Sequence, residues 1–269
     1  MDRPEGVVLD GIVNLHGHPR REANLVTQAV LGTWVRIEES RKGWYKVLLP
    51  DRYNGWLEAH HVRRYAPGET PYPASEQVAQ VQSLLAFLYY EPNGTYRLPA
   101  LQVPIGVRLA VAAVEEGWVQ VALPDGAQRW VRRGDVQIVA ADAEPVRGSV
   151  EKVLATARRF LGLPYLWGGT TPLGIDCSGF VQLVYRLNGV FLLRDARLQF
   201  AQPDLLPVEQ KDLQPGDLLF FGRQSITHVG LYLGQGEFIH ATTHRRPVVQ
   251  ISRLDEPHWA GLYRGARRP

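Results

Sequence analysis

An internal repeat constrains the fold of this chain more than any other feature of its sequence. Residues 28–62 align without a gap to residues 102–136. Each copy consists of short runs of β-branched, aromatic and polar residues broken by Gly, Pro and Asp, a pattern typical of short strands joined by tight turns. We therefore predict two small β-barrels of the same design, because two copies are too few for a solenoid. The identical positions include Gly32/Gly106, Gly43/Gly117, Trp44/Trp118, Val47/Val121, Leu49/Leu123, Pro50/Pro124, Asp51/Asp125, Trp56/Trp130 and Val62/Val136.

The segment between the two copies, residues 70–94, has a different apolar pattern. Pro71 and Pro73 indicate a linker, and Ser75 is a candidate helix N-cap. Apolar residues then recur at the spacing of one helical face. We therefore predict one amphipathic helix packed on a barrel. Its apolar residues are Val78, Val81, Leu84, Leu85 and Leu88.

The last third of the chain reads as helices followed by strands. A helix is predicted behind the candidate cap Ser149, and a second from about Cys177 to Leu187. Four apolar runs of strand length follow. This order predicts an α+β domain with an antiparallel sheet. The predicted domains are a first barrel over residues 1–68, the linker helix and second barrel over 69–147, and the α+β domain over 148–269.

Composition narrows the classes of protein and of partner. Hydrophobic residues make up 45% and charged residues 21% of the chain, which is typical of a globular protein. A net charge of +3, without a long basic block, gives no reason to expect a nucleic-acid partner. No apolar run reaches the roughly 18 to 20 residues that span a bilayer, so no membrane partner is expected. The first residues lack a signal-peptide pattern, so we expect a cytoplasmic protein if Met1 is the native start. We also expect it to be a monomer.

The single cysteine, Cys177, lies in the stretch "GIDCSGF" between Asp176 and Ser178. A lone cysteine is more often a buried apolar residue than a reactive one. Polar neighbours and flanking glycines instead favour a sharp turn that presents the thiol at a helix N-terminus, where unpaired N–H groups point outward. The sequence therefore makes Cys177 a candidate nucleophile.

A helix terminus alone cannot make this thiol strongly acidic. Papain-like nucleophiles have pKa values about 4.5 to 5.5 units below that of a free thiol, which corresponds to roughly 6 to 7 kcal/mol. A helix N-terminus supplies about 0.3 to 1 kcal/mol. We therefore expect a histidine cation beside Cys177, and thus a thiolate–imidazolium pair.

Two of the eight histidines stand at the edges of neighbouring apolar strands. His228 begins "HVGLYLG" and His240 lies in "EFIHAT", with the short turn "GQGE" between the two runs. Antiparallel strands joined in this way can place both imidazoles side by side, so that one accepts the thiol proton and the other orients it. The alternative for each is a histidine satisfied within the sheet. We expect no metal site and no cofactor, because the other histidines read as surface or loop residues: His16, His18, His60, His61, His244 and His258.

The sequence around these residues resembles a known family. Several segments are similar to the catalytic domain of NlpC-type cell-wall cysteine peptidases, which are papain-like enzymes with a Cys-His-His constellation. These segments are "LGLPYLWGG", "DCSGFVQLVYRLNGV", "RDARLQ", "LQPGDLLFF", "HVGLYLG" and "FIHA". The similarity spans residues 148–264, and the repeat resembles paired bacterial SH3-like barrels. Within the family, two barrels together with the "RDA" stretch are most similar to the enzymes of murein-peptide recycling.

The resemblance implies roles for the catalytic residues. Cys177 matches the nucleophile, His228 the general base and His240 the residue that orients the base. Tyr165 matches a tyrosine whose hydroxyl stabilises the oxyanion together with the Cys177 backbone N–H.

The resemblance also implies substrate-binding positions, with Asp176 as a candidate to hold a free amine. The matching residues are Asp176, Ser178, Arg194, Asp195, Trp167 and Tyr53. The alternatives are that Tyr165 and Trp167 are core aromatics, that Asp176 caps a helix, and that Arg194 and Asp195 form a local ion pair. Thr33 stands where recycling enzymes commonly have an amine-binding glutamate, so either Glu38 or Glu39 compensates or the demand for a free amine is relaxed.

The expected partner is accordingly a murein peptide. The resemblance implies hydrolysis of the bond between γ-D-glutamate and an L-diamino acid, meso-diaminopimelate or lysine, in fragments with a free N-terminal L-alanine. The alternatives are an exported endopeptidase that remodels intact peptidoglycan, and a wall-binding module without hydrolytic activity.

Overall fold

A computed structural model describes residues 4–143 and 145–269. The chain divides into two compact units, the first ending at Ala143 and the second running from there to Pro269. None of the helices in the described ranges has the length and apolar content needed to span a lipid bilayer.

The first unit contains two seven-stranded sheets built to one plan. The first has the strand order β3-β2-β6-β5-β4-β1-β7 and the second β10-β9-β13-β12-β11-β8-β14, so equivalent strands occupy equivalent places. The two predicted barrels are confirmed. The strands are β1 (Gly6–Val8), β2 (Ile12–His16), β3 (Leu25–Val30), β4 (Trp34–Arg41), β5 (Trp44–Leu48), β6 (Asn54–Glu58), β7 (Val62–Arg64), β8 (Gln77–Val81), β9 (Leu85–Tyr89), β10 (Leu101–Pro104), β11 (Arg108–Glu115), β12 (Trp118–Ala122), β13 (Gln128–Arg132) and β14 (Val136–Ala140).

Each barrel closes around its own aliphatic core. Aliphatic side chains from alternate strand positions face inward, as expected when one face of each strand is buried. The first core includes Val8, Leu15, Val35, Val47 and Leu57. The second includes Val81, Leu88, Leu109, Val121 and Val131.

The helix predicted between the repeats is wrong, because this segment forms the first two strands of the second barrel. Gln77–Val81 is β8 and Leu85–Tyr89 is β9. The strand β8 pairs with β11 and β14 on its two sides, so sheet partners satisfy its backbone groups. Between the strands, Ser83 bonds to Asp135 through its backbone N–H and its hydroxyl. Apolar spacing over two short strands and a turn therefore imitated a helical face.

The second unit packs helices against a six-stranded antiparallel sheet of order β17-β22-β18-β19-β20-β21. The α+β class predicted for this region is confirmed. Its elements are α1 (Val150–Arg158), β15 (Thr170–Thr171), β16 (Gly174–Ile175), α2 (Cys177–Leu187), α3 (Ala196–Phe200), β17 (Leu206–Val208), β18 (Leu218–Phe221), β19 (His228–Gly234), β20 (Glu237–Thr242), β21 (Val248–Arg253), α4 (Pro257–Leu262) and β22 (Tyr263–Arg268).

Two helices begin where the sequence places them. Ser149 caps α1 by accepting from the Lys152 backbone N–H, as predicted. The helix α2 has the predicted bounds and is buried over its first nine residues, Cys177–Tyr185. It lies against β19 and β20, which brings its N-terminus to the strands that carry the two candidate histidines.

Candidate active site

The N-terminus of α2 holds the thiol of Cys177 against the sheet. Asp176 is the N-cap of α2, and its carboxylate accepts from the Gly179 backbone N–H at 2.7 Å. Cys177 is therefore the first residue of the helix. The Cys177 side chain is 8% exposed. Burial raises the pKa of the thiol, and the backbone N–H groups of Val229 and Ser178 lower it, so both N–H groups lie near the sulfur. Because Val229 follows His228 in β19, the sulfur is close to the strand position of that histidine.

The two candidate histidines are bonded to each other. His228 Nε2 lies 2.7 Å from His240 Nδ1, and His240 Nε2 lies 3.0 Å from Ser252 Oγ. The strands β19, β20 and β21 thus each contribute one residue to a continuous hydrogen-bonded series. His240 is fully buried and Ser252 is 7% exposed. The prediction that His228 and His240 meet across adjacent strands is confirmed.

The direction of these bonds determines which nitrogen of His228 can act as a base. If His228 Nε2 carries a proton and donates it to His240 Nδ1, then His240 carries its own proton on Nε2 and donates to Ser252 Oγ. The neutral His228 ring then keeps Nδ1 free of a proton. The Ser252 hydroxyl is therefore the acceptor at the end of this hydrogen-bonded series. Ser252 was missed from the sequence, because it lies two residues beyond Gln250, the β21 residue opposite His240.

Burial opposes charge at both the thiol and the imidazoles. It raises the pKa of Cys177 to about 12, with the nearby Asp176 carboxylate adding to the effect. It lowers the pKa of His228 to about 3, and it lowers that of His240 well below its usual range. Burial therefore works against a thiolate and against an imidazolium in the free protein. The expected thiolate–imidazolium pair stays a prediction.

Tyr165 lies close to the nucleophile. It forms an isolated parallel bridge with Ile175, two residues before Cys177, and its backbone N–H donates to the Pro247 carbonyl at 2.8 Å. Burial raises the pKa of the Tyr165 hydroxyl, and negative charge on Cys177 and then Asp176 raises it further. The hydroxyl is therefore within electrostatic range of the sulfur and carries its proton at neutral pH.

Asp176, Ser178 and Arg194 form a buried polar network. The Arg194 guanidinium, 1% exposed, donates to Asp176 Oδ1 at 3.0 Å and to Oδ2 at 2.6 Å. The carboxylate also accepts from the backbone N–H groups of Gly168 and Gly179 and from the Ser178 hydroxyl. Arg194 additionally donates to Ser178 Oγ at 2.9 Å.

This network gives Asp176 a structural role. The residue is 7% exposed and its carboxylate accepts five hydrogen bonds, so it caps α2 and pairs with Arg194. Ser178, at 5% exposure, belongs to the same buried set. Asp176 does cap a helix in this structure, and its contact with a substrate amine stays a prediction.

The other predicted substrate residues lie in more open positions. Trp167 is 67% exposed, so it is not a core aromatic. Asp195 is the N-cap residue of α3 and is partly exposed. Tyr53 belongs to the first unit, where its backbone N–H donates to Asp51 Oδ1 at 3.1 Å. The substrate contacts of these three residues stay predictions.

Comparison with known proteins places this site in a family context. The NlpC/P60 family profile matches residues 162–268, a "Bacterial dipeptidyl-peptidase Sh3 domain" profile matches 15–62 and a "YKFC SH3b2 domain" profile matches 81–138. The chain is 31% identical over 256 residues to the gamma-D-glutamyl-L-lysine dipeptidyl-peptidase of Bacillus cereus, covering 91% of this chain and 75% of that protein.

Two further proteins match over nearly the whole chain. Dipeptidyl-peptidase 6 of Lysinibacillus sphaericus is 30% identical over 267 residues, covering 96% of this chain and 94% of that protein. The crystal structure of an NlpC/P60 family protein from Bacillus cereus superposes with a TM-score of 0.86 at 27% identity, covering 98% of this chain and 99% of that one.

Proposed function

The chain belongs to the NlpC/P60 family of cysteine peptidases, and we propose that it hydrolyses the γ-D-glutamyl–L-diamino acid bond of murein peptides. Family membership makes it a hydrolase of peptidoglycan peptides. The observation that carries the finer proposal is the bonded series His228, His240 and Ser252 beside Cys177, in a chain whose relatives over most of its length are named gamma-D-glutamyl-L-lysine dipeptidyl-peptidases.

The first half of the reaction forms an acyl-enzyme. The sulfur of Cys177 attacks the γ-carbonyl carbon of D-glutamate while its proton passes to His228. A C–S bond forms and the carbonyl oxygen becomes an oxyanion. The Tyr165 hydroxyl and the Cys177 backbone N–H, which has no acceptor within its helix, donate to this oxygen. The protonated His228 then donates to the diamino acid's nitrogen as the C–N bond breaks.

The second half releases the enzyme. Neutral His228 accepts a proton from a water molecule, whose oxygen attacks the thioester carbonyl. The tetrahedral intermediate collapses, the C–S bond breaks and His228 returns the proton to the sulfur. In both halves His240 accepts from His228 Nε2, so the imidazolium that forms is stabilised within the hydrogen-bonded series.

The burial of Cys177 and His228 fits this sequence of events. Because burial raises the pKa of the thiol and lowers that of His228, charge separation is unfavourable in the free enzyme. Proton transfer therefore accompanies C–S bond formation. The negative charge then develops on the carbonyl oxygen rather than persisting on the sulfur.

The substrate is proposed to be a short murein fragment with a free N-terminal L-alanine. The proposed contact for its amine is the Asp176 carboxylate, which also pairs with Arg194. A free amine arises only after the peptide has left muramic acid, so the proposed role is recycling of released peptides by a cytoplasmic monomer.

A peptide assay tests the proposal. The protein is incubated with L-Ala-γ-D-Glu-meso-diaminopimelate and with the lysine analogue, each with a free or an acetylated alanine amine, and products are identified by mass spectrometry. We expect L-Ala-D-Glu to be released from the free peptides and at least tenfold more slowly from the acetylated ones. Absence of cleavage by the wild type, or full cleavage by Cys177→Ala, contradicts the proposal. Equal rates on free and acetylated peptides would favour an enzyme of intact peptidoglycan.

A further inference from the structure

Trp259, in the short helix α4, contacts both imidazoles of the site. Its indole is stacked on His228, with ring centroids 5.2 Å apart and planes 25° apart. It meets His240 edge to face, at 4.7 Å and 86°. The side chain is 2% exposed. The sequence patterns assigned it no role.

The surroundings of Trp259 hold its indole in place. Phe221 and Phe238, both fully buried, meet it edge to face at centroid distances of 5.3 and 5.5 Å. His228 is less firmly determined by the backbone, since it is the first residue of β19 and an imidazole's second torsion has broad energy wells. A rigid indole face against the ring therefore restricts the plane in which His228 lies.

We propose that Trp259 is a positioning residue for the peptidase reaction, whose indole holds the His228 imidazole in the plane of its bond to His240 and keeps water from that bond. The inference rests on the proposed roles of Cys177 and His228. The effect on the reaction is geometric, because the indole touches the base and its partner but takes no proton.

The indole N–H is not what anchors this side chain. Nε1 is buried and has no hydrogen-bond partner among the described residues. A phenylalanine at this position therefore loses no hydrogen bond while keeping a flat face, whereas a leucine loses the face. The pair of variants separates ring stacking from the mere filling of space.

Removal of the indole face also changes how activity falls at low pH, because it changes the pKa of His228. The titratable groups near His228 include Asp176 at the start of α2, His240 of β20 and His258 of α4. His244 is stacked on His258 and also meets the Trp259 indole, so it belongs to the same group. Burial is the largest cause of the lowered pKa of His228. Opening the site to water moves that pKa up toward 6.5. Loss of the indole's attraction for the imidazolium works in the opposite direction, but at a desolvated site it amounts to about 1.5 pKa units, less than the drop of the His228 pKa from 6.5 to about 3.

The test measures kcat, KM and the pH profile of kcat/KM for full-length Trp259→Phe and Trp259→Leu on the free tripeptide. We expect Trp259→Leu to lower kcat at least tenfold with KM within about twofold, since general acid–base help is worth about 10² to 10⁴-fold and only its alignment is impaired. In the pH profile of Trp259→Leu, kcat/KM should fall on the acid side between about pH 5 and 6.5. For Trp259→Phe, kcat should stay within about threefold of the wild-type value, and kcat/KM should show no such fall.

The matched control is Phe160→Leu. Phe160 is a fully buried aromatic residue of the same unit, and its recorded ring contact is with Phe180, not with a histidine. It should lose thermal stability without that fall of kcat/KM on the acid side. Unchanged kcat and pH profile in Trp259→Leu, or the same changes in Phe160→Leu, would overturn the proposal. If Trp259→Leu does not fold, Trp259→Met provides the same comparison. Inactive wild type would refute the proposed substrate instead.

Discussion

Replacing Arg194 by methionine should destabilise the catalytic unit far more than removing an exposed arginine does. The guanidinium is 1% exposed and supplies two of the five hydrogen bonds to Asp176. Methionine has a similar length but leaves the carboxylate charged and enclosed. Breaking a buried ion pair from one side costs about 3 to 5 kcal/mol. We expect that loss in the free energy of unfolding.

Arg253→Met is the matched control for this loss. Arg253 pairs with Asp255 at 2.8 Å, but the two side chains are 50% and 67% exposed. Exposed pairs contribute about 0 to 1 kcal/mol. The double variant Asp176→Asn/Arg194→Met removes both charges and should be at least about 1 kcal/mol more stable than the sum of the single variants implies.

The sole cysteine provides an assay for this unit. Cys177 is 8% exposed, so pulse labelling with a thiol reagent at increasing urea concentrations reports the opening of α2. Urea is preferred to guanidinium chloride because salt screens ion pairs. If the labelling midpoints of Arg194→Met and Arg253→Met coincide, the reasoning from burial is refuted.

Three further predictions concern the site itself. Burial raises the pKa of Cys177 to about 12 and lowers that of His228 to about 3. The rate of alkylation by iodoacetamide should therefore show no inflection between pH 5 and 8, in the wild type or in His228→Ala. An inflection near pH 4 that His228→Ala abolishes would indicate a preformed ion pair. Ser252→Ala leaves the buried His240 Nε2 without its recorded partner, so it should cost about 1 to 3 kcal/mol in urea unfolding and lower kcat, an idea that wild-type values of both would rule out. Tyr165→Phe should lower kcat about 10²-fold or more on the tripeptide with little change in KM; equal loss through KM would point to substrate binding instead.

Local patterns predicted the elements that depend on local chemistry. The repeat predicted both barrels, and the polar stretch around Cys177 predicted the start of α2. The short turn between two apolar runs was enough to bring His228 and His240 together. The predicted helix failed because the spacing of Val78 and Val81 matches one helical face, whereas in β8 the two side chains lie on opposite faces of the strand and both are buried. Only pairing with distant strands decides between the two.

The site details that were missed depend on contacts distant in sequence. The pairing of Arg194 with Asp176 spans 18 residues and follows from the packing of the chain near α2, which no periodicity reports. Burial of the thiol and imidazoles likewise follows from tertiary packing, and it opposes the charges that the needs of the chemistry alone led us to expect. Trp259 lay unrecognised in a short helix because its neighbours arrive from several strands.

The members of the hydrogen-bonded series are spaced evenly along the chain. His228, His240 and Ser252 follow one another at intervals of twelve residues, on three consecutive strands joined by two short connections. An added or deleted residue within a strand turns every following side chain to the opposite face of the sheet. Insertions and deletions in residues 228–252 are therefore far more damaging than most substitutions there, and the lengths of the two connections are as much a part of the active site as the imidazoles.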